Sequence, residues 1–233
     1  MTLSAVTTFD VSSTPKFGPA VALSKGNALF SAVSKTYTPK QDIFCEGDTK
    51  RNVYQIESGA VCLYKCMADG RRQIFDFAFP GDIIGLGASD VYFCSAQSIG
   101  SVQVKPVPLS KLYELAAKEP NFALSLYHAV SLELDATRDL LLTLGQQNSI
   151  ERVAIFLLTL SQRNSRNGKN PRLLTIPMTR ADIADLLGTT IETVSRSLTK
   201  LRQYKLIEVI RGSLIQIIDL DGLTVLAGKA SYH

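Results

Sequence analysis

The chain is short of histidine, of cysteine and of long apolar runs, and each shortage closes off a class of function. Only two of its 233 residues are histidine, His128 and His233, so no histidine cluster for metal chemistry is available between residues 35 and 109. The four cysteines, Cys45, Cys62, Cys66 and Cys94, all follow residue 44. In a reducing cytosol such cysteines are thiols rather than disulfides. Cys62 and Cys66 invite a metal clip, but four strand steps hold their sulfurs roughly 13 Å apart, too far for one ion without a bulge. They read as ordinary, partly buried thiols. The longest apolar stretches, such as Val153–Leu160, are too short to cross a bilayer. No charged region followed by an apolar one opens the sequence, so no secretory leader is expected and the cytoplasm follows as the location. No run of like charges occurs either. With 45% hydrophobic and 20% charged residues, a packed globular protein is expected.

The net charge of +4 is unevenly spread. Residues 1–145 carry 13 Lys+Arg against 14 Asp+Glu, and residues 146–233 carry 12 against 7. The basic excess lies in the C-terminal third, as expected where a protein meets a polyanion.

Along the chain, residues 1–28 are rich in Ser, Thr and Pro and read as an N-terminal arm, with a short helix over Gly26–Val33 at its end. From Lys35 to Leu109 the texture is strand and turn. Gly47, Gly59, Gly70 and Gly81 recur at near-constant spacing. Between and after them lie the apolar or alternating runs Val53–Ile56, Val61–Tyr64, Gln73–Phe79 and Val102–Val107. Asp69-Gly70 is a hairpin signal. Short strands with evenly spaced turns predict an antiparallel sandwich or roll over 29–118, ending in a helix at Ser110–Lys118. An enzyme on such a jelly-roll scaffold needs clustered histidine and carboxylate ligands, and this stretch has no histidine, so no enzyme is expected.

Pro120 suits the first turn of a long helix, Asn121–Gln147. Tyr127, Val130, Leu134, Thr137, Leu141 and Leu144 step by 3 and 4, a heptad seam that predicts a dimerisation helix over 119–147. The leucines at 126, 132, 140 and 142 lie off the seam and can pack on the helix's own domain. A second helix, capped by Ser149, runs through Ile150–Ser161. Arg163–Pro171 is a polar, exposed loop, and Leu173–Ile176 a short strand.

The remaining stretch carries the function. Thr179–Leu187 reads as a helix with Ile183, Ala184, Leu186 and Leu187 inward, and Gly188 fits a left-handed terminus. Thr189 lies at capping-box spacing before Glu192. The helix Ile191–Tyr204 then turns Ile191, Val194, Leu198 and Leu201 to one side. Glu192, Ser195, Arg196, Thr199, Lys200 and Gln203 lie on the other. Two helices joined by about three residues with a glycine make a helix-turn-helix. Leu206–Ile210 and Leu214–Asp219, around Arg211-Gly212-Ser213, add a hairpin wing. Carboxylate, hydroxyl and guanidinium near one helix start are the groups that hydrogen-bond base edges. An ordinary helical hairpin would instead pair Glu192 with Arg196 at i,i+4. The fold class expected is therefore α+β: an N-terminal antiparallel β-roll (double-stranded β-helix or jelly roll), a long dimerisation helix, and a winged helix-turn-helix over 148–233.

The segment MTRADIADLLGTTIETVSRSLTKL, residues 178–201, resembles the cAMP receptor protein/FNR (CRP/FNR) family of bacterial transcription regulators. The glycine spacing and the long helix agree, and the resemblance spans about residues 30–220. It implies a homodimer that binds palindromic double-stranded DNA and recruits RNA polymerase. It places Thr179, Arg180, Thr189, Thr190, Ile191, Glu192, Ser195, Arg196, Thr199 and Lys200 at the DNA. Glu192-x-x-Ser195-Arg196 is similar to the FNR and FixK branch, which reads TTGAT-N4-ATCAA-like sites. The cAMP receptor branch has Arg and Gly where this chain has Ile191 and Ser195. The loop Arg163–Pro171 falls where family members touch the polymerase α subunit.

The departures bear on the signal. Cyclic-nucleotide binders carry Gly-Glu and Arg-Ser/Thr-Ala, where this chain has Gly85-Leu86 and Cys94-Ser95-Ala96, so a cyclic phosphate would lose its charge partner. FNR's iron–sulfur cluster uses an N-terminal cysteine group, and residues 1–44 hold no cysteine. The four cysteines present are poorly spaced for a cluster. The histidines do not support haem. No cofactor is expected. The pattern left is FixK-like, implying control of microaerobic, anaerobic, denitrification or nitrogen-fixation genes. An effector- or redox-gated regulator of the same fold is the alternative.

Overall fold

The structure, a computed structural model, describes residues 33–228. The arm expected over 1–28 and all but the last residue of the helix expected over Gly26–Val33 lie outside them. The described chain opens with eight strands. They are β1 (Lys35–Tyr37), β2 (Asp42–Phe44), β3 (Asn52–Ser58), β4 (Val61–Cys66), β5 (Arg72–Ala78), β6 (Ile83–Ile84), β7 (Ser95–Ser98) and β8 (Val102–Pro108). They form two antiparallel sheets, ordered β1-β8-β3-β6 and β2-β7-β4-β5, which is the expected roll. The four glycines that space the turns all take positive φ, from +82° to +97°. Gly59, between β3 and β4, has a second constraint. A Cβ there would lie 2.4 Å from the Ser101 carbonyl oxygen, so no other residue fits without moving backbone.

The strands that sequence reading named are the long ones. The short β1, β2, β6 and β7 carry too few residues to show alternation. β4 breaks the period-2 rule for a different reason. Val61, Cys62 and Leu63 are all buried. Val61 and Leu63 enter the roll's own core, whereas Cys62 packs outward with Ile74 and Phe77 of β5 into the core of the C-terminal helices. The roll is thus covered on that face by the C-terminal helices, and the two halves share one apolar core.

Helix α1 (Leu109–Lys118) leads to α2 (Pro120–Gln146), with Pro120 in its first turn, where a missing N–H costs nothing. Phe122, Ala129, Ala136, Leu140 and Thr143 form the buried face of α2. The expected seam faces away: Tyr127, Val130, Leu134, Thr137 and Leu141 are exposed, Leu141 at 71%. Leu144 differs, being half-buried against the C-terminal core. Leu142, expected to pack on its own domain, is 62% exposed, because it lies off the face that meets the roll.

Helix α3 (Ser149–Arg166) is capped by Asn148, not Ser149. The Asn148 side chain accepts from the Ile150 and Glu151 amides, and Glu151 reaches back to the Asn148 amide at 2.9 Å. The helix also runs on past Ser161, so Arg163–Arg166, expected in a loop, are helical. Every residue from Val153 to Ser161 is buried, because α3 lies between the roll and the helices that follow. Truncating such a residue, Leu157 for instance, costs about 2–5 kcal/mol.

Candidate nucleic-acid interface

The C-terminal elements are β9 (Leu173–Thr175), α4 (Arg180–Leu187), α5 (Ile191–Gln203), β10 (Ile207–Arg211), β11 (Leu214–Ile217) and α6 (Leu220–Leu226). β10, β11 and β9 form a three-stranded antiparallel sheet, of which β10–β11 is the expected wing hairpin. Ile183, Ala184, Leu186 and Leu187 of α4 are buried against Val194, Leu198 and Leu201 of α5 and against α3. Small Ala184 permits that close crossing.

Local chemistry sets the two helix starts. Thr179 caps α4: its hydroxyl accepts from the Asp182 amide at 3.1 Å, and Asp182 returns the bond to the Thr179 amide at 2.9 Å. Gly188 ends α4 in the left-handed conformation, φ +58°. The cap of α5 is Thr190, one residue later than the spacing Thr189…Glu192 predicts. Its hydroxyl accepts from the Thr193 amide at 3.2 Å. Thr189 instead lies half-buried in the turn, its amide donating to the Ala184 carbonyl.

From this frame α5 presents Ile191, Glu192, Ser195, Arg196, Thr199 and Lys200 to solvent. Ile191, expected inward, is 48% exposed, because it precedes the turn at which Val194 begins the buried stripe. The hydroxyl protons of Ser195 and Thr199 are committed to the carbonyls of Ile191 and Ser195, both at 2.9 Å. Their oxygens therefore face outward as acceptors. Glu192 has its carboxyl held below the usual range by its own backbone amide, the Thr190 hydroxyl and Arg196. Among the described residues Glu192 and Arg196 form no ion pair, in contrast to Arg72 with Asp182 and Asp185. The outward carboxylate and guanidinium stay separately available. Arg180 sits half-buried at the start of α4, and burial lowers its guanidinium pKa.

Sequence reading missed the residues that fix this surface relative to the rest of the chain. Arg152 of α3 donates to the carbonyls of Leu144, Gln147 and Leu187 at 2.8–2.9 Å. One guanidinium thus satisfies the C-terminal ends of both α2 and α4. Arg72 of β5 binds Asp182 and Asp185 of α4, and the Gln73 amide group donates to the Asp185 carbonyl. Arg163 of α3 reaches Asp82 at 2.7 Å and lies over the Phe79 ring. Nothing in the local sequence marks these partners.

A roll, a long helix with an exposed apolar stripe, and a winged helix-turn-helix with a polar outward face define a DNA-binding regulator. Residues 151–226 match the Crp-like helix-turn-helix domain, and residues 34–119 the cyclic nucleotide-binding domain. The chain is 37% identical over 191 residues to the transcriptional activatory protein AadR of Rhodopseudomonas palustris, covering 82% of this chain and 80% of that one. It is 36% identical to the nitrogen fixation regulation protein FixK of Azorhizobium caulinodans, covering 80% and 76%. The solved structure of FixK2 from Bradyrhizobium japonicum superposes with a TM-score of 0.80 at 33% identity, covering 87% of this chain and 99% of that one. The chain belongs to the CRP/FNR family of transcription regulators. The relatives it matches are named as regulators, not as enzymes. Among the described residues no helix is long and apolar enough to cross a membrane.

Proposed function

We propose that this chain is a cytoplasmic, homodimeric activator that reads TTGAT-N4-ATCAA-like sites through the N-terminal half of α5. The observation that carries this reading is the row Glu192, Ser195 and Arg196, which is solvent-facing and free of mutual ion pairing. Arg196 is suited to donate two bonds to guanine O6 and N7, Glu192 to accept from a cytosine amino group, and Ser195 to accept from an amino group. Ile191 offers an apolar contact for a thymine methyl. Thr179, Arg180, Thr189, Thr190, Thr199 and Lys200 surround this row and fix register on the phosphates.

The exposed stripe Tyr127, Val130, Leu134, Thr137 and Leu141 is the proposed dimer seam, extended at its end by Leu144. Such a stripe is unfavourable in water and is buried by a second α2. The dimer places its two reading helices about one helical turn of DNA apart, roughly 34 Å. The relatives named for nitrogen fixation, and the anaerobic regulatory protein of Haemophilus influenzae at 35% identity, support a role in genes for low-oxygen metabolism. Ser165–Asn170, the last turn of α3 and the residues after it, is the exposed part of the segment proposed to touch RNA polymerase. Arg163 is excluded from that contact by its bond to Asp82.

The test is fluorescence anisotropy of purified protein on duplexes with an inverted TTGAT pair, one TTGAT element, or none. The reading predicts tightest binding to the pair. Equal binding to all three at physiological salt overturns it.

A further inference from the structure

Two extended residues, Gln147 (φ −98°, ψ 145°) and Asn148 (φ −76°, ψ 170°), join α2 to α3. Each brings two soft backbone dihedrals. The side-chain hydrogen bonds of Asn148 run forward into α3 and leave the direction of α2 unset. Any fixed relation between α2 and the helices that follow must therefore come from contacts that span this junction.

Arg152, in the first turn of α3, spans it. Its Nη2 donates to the Leu144 carbonyl at 2.8 Å, its Nε to the Gln147 carbonyl at 2.9 Å and its Nη1 to the Leu187 carbonyl at 2.9 Å. Leu144 ends the proposed seam of α2, and Leu187, fully buried, is the last residue of α4. Gly188 follows at φ +58°, and the Thr189 amide returns to the Ala184 carbonyl, so the turn into α5 is tied to α4. The parts lie in van der Waals range of one another. A Cβ on Gly188 would be 3.8 Å from Leu144 Cδ2 and 3.9 Å from Arg152 Nη1. Arg72 and Arg163 fasten the C-terminal half to the roll, whereas Arg152 fastens it to α2. Each of its three nitrogens is bonded to a carbonyl, which suits a positioning group rather than a phosphate ligand.

We infer that Arg152 is the positioning residue that fixes the separation of the two reading helices in the dimer and thereby selects the spacer length of the operator. The inference rests on the homodimeric, palindrome-reading function proposed above. One added base pair moves the second half-site by about 3.4 Å and turns it by roughly 35°. A dimer held stiff at Arg152 then reaches one half-site and loses the avidity of the second. A dimer free to pivot at Gln147 and Asn148 reaches both. Arg152→Met keeps an unbranched stem but leaves the three helix-end carbonyls without their donor. Arg152→Lys keeps the charge but replaces three donor nitrogens by one.

Anisotropy on duplexes with inverted TTGAT elements three, four or five base pairs apart tests this. The unaltered full chain should bind the four-base-pair spacer about tenfold more tightly than either other spacer, the tenfold being about 1.4 kcal/mol. In Arg152→Met that ratio should fall below about threefold, while sedimentation still shows a dimer and TTGAT is still preferred to a scrambled element. Loss of folded protein or of a phosphate contact would lower all three affinities together and leave the ratio unchanged. Should Arg152→Met fail to fold, Arg152→Lys carries the test, with the same fall expected. Pulsed electron paramagnetic resonance of the free dimer gives a second readout that needs no operator. With Cys45→Ser and Cys66→Ser, and a spin label at Gln203→Cys, the distance between protomers should be narrowly distributed and should broaden when Arg152 is changed. An unchanged ratio in a folded variant, or an unbroadened distance, overturns the inference and leaves the proposed function standing. An unaltered chain that ignores TTGAT duplexes defeats the proposed function, and the distance measurement then decides the role of Arg152. A monomeric unaltered chain overturns both.

Discussion

Arg72 and Asp182 are 110 residues apart in sequence and 2.5 Å apart in space. The first lies on the roll and the second in the opening turn of α4, where it also closes the cap with Thr179. The pair is partly buried, with side-chain exposures of 27% and 12%. Arg72→Met leaves both Asp182 and Asp185 without their guanidinium, and should cost about 1–3 kcal/mol in urea unfolding. The pH dependence follows with a definite sign. Burial raises the Asp182 carboxyl, but the Thr179 bonds and Arg72 outweigh it, so the net shift is downward. A depressed carboxyl contributes stability above its unfolded value, near pH 4, and loses it as pH falls through the folded value. Arg72→Met should therefore reduce the acid sensitivity of stability below about pH 4, as equilibrium unfolding between pH 2 and 5 will show.

Asp76 behaves oppositely. Burial, then Asp82, push its carboxyl up to about 8. Between its unfolded and folded values the native chain holds a proton that the unfolded chain lacks, so its contribution to stability falls as pH rises across that window. Asp76→Asn should remove this slope. Denaturant midpoints should show little change at pH 5 and stabilisation of about 1–3 kcal/mol at pH 8. A variant no more stable at pH 8 than the unaltered chain contradicts the burial of this charge.

How much of this was legible in the sequence divides along a physical line. Patterns set within one element were readable: the turn glycines, Pro120 at a helix start, the buried stripe of α4, and the wing. Boundaries slipped by one residue where two cap residues adjoin, at Asn148/Ser149 and Thr189/Thr190, because local spacing scores both and only the tertiary fold chooses. Contacts between distant elements were not readable. Arg152, Arg163 and Arg72 look like surface charges in the sequence, and each proves to hold two elements together. The candidate reading surface was legible because its residues face water and need no distant partner.

The exposed stripe of α2 makes its own prediction. The double substitution Leu134→Asp/Leu141→Asp leaves the monomer's contacts intact, since both side chains are 49% or more exposed. It should nevertheless yield monomers in sedimentation velocity and weaken operator binding by an order of magnitude or more, through loss of the second half-site. A persisting dimer would move the seam elsewhere.

Arg196→Ala should cost about 1–3 kcal/mol on the preferred operator, and much less on operators altered at the one base pair it reads. An equal loss on every sequence would assign Arg196 to phosphate contact.

The most direct test of the whole account is selection of bound duplexes from a randomised library by the unaltered protein at physiological salt. Enrichment of two inverted TTGAT elements four base pairs apart is the predicted result. Enrichment of an unrelated sequence, or none, would contradict it.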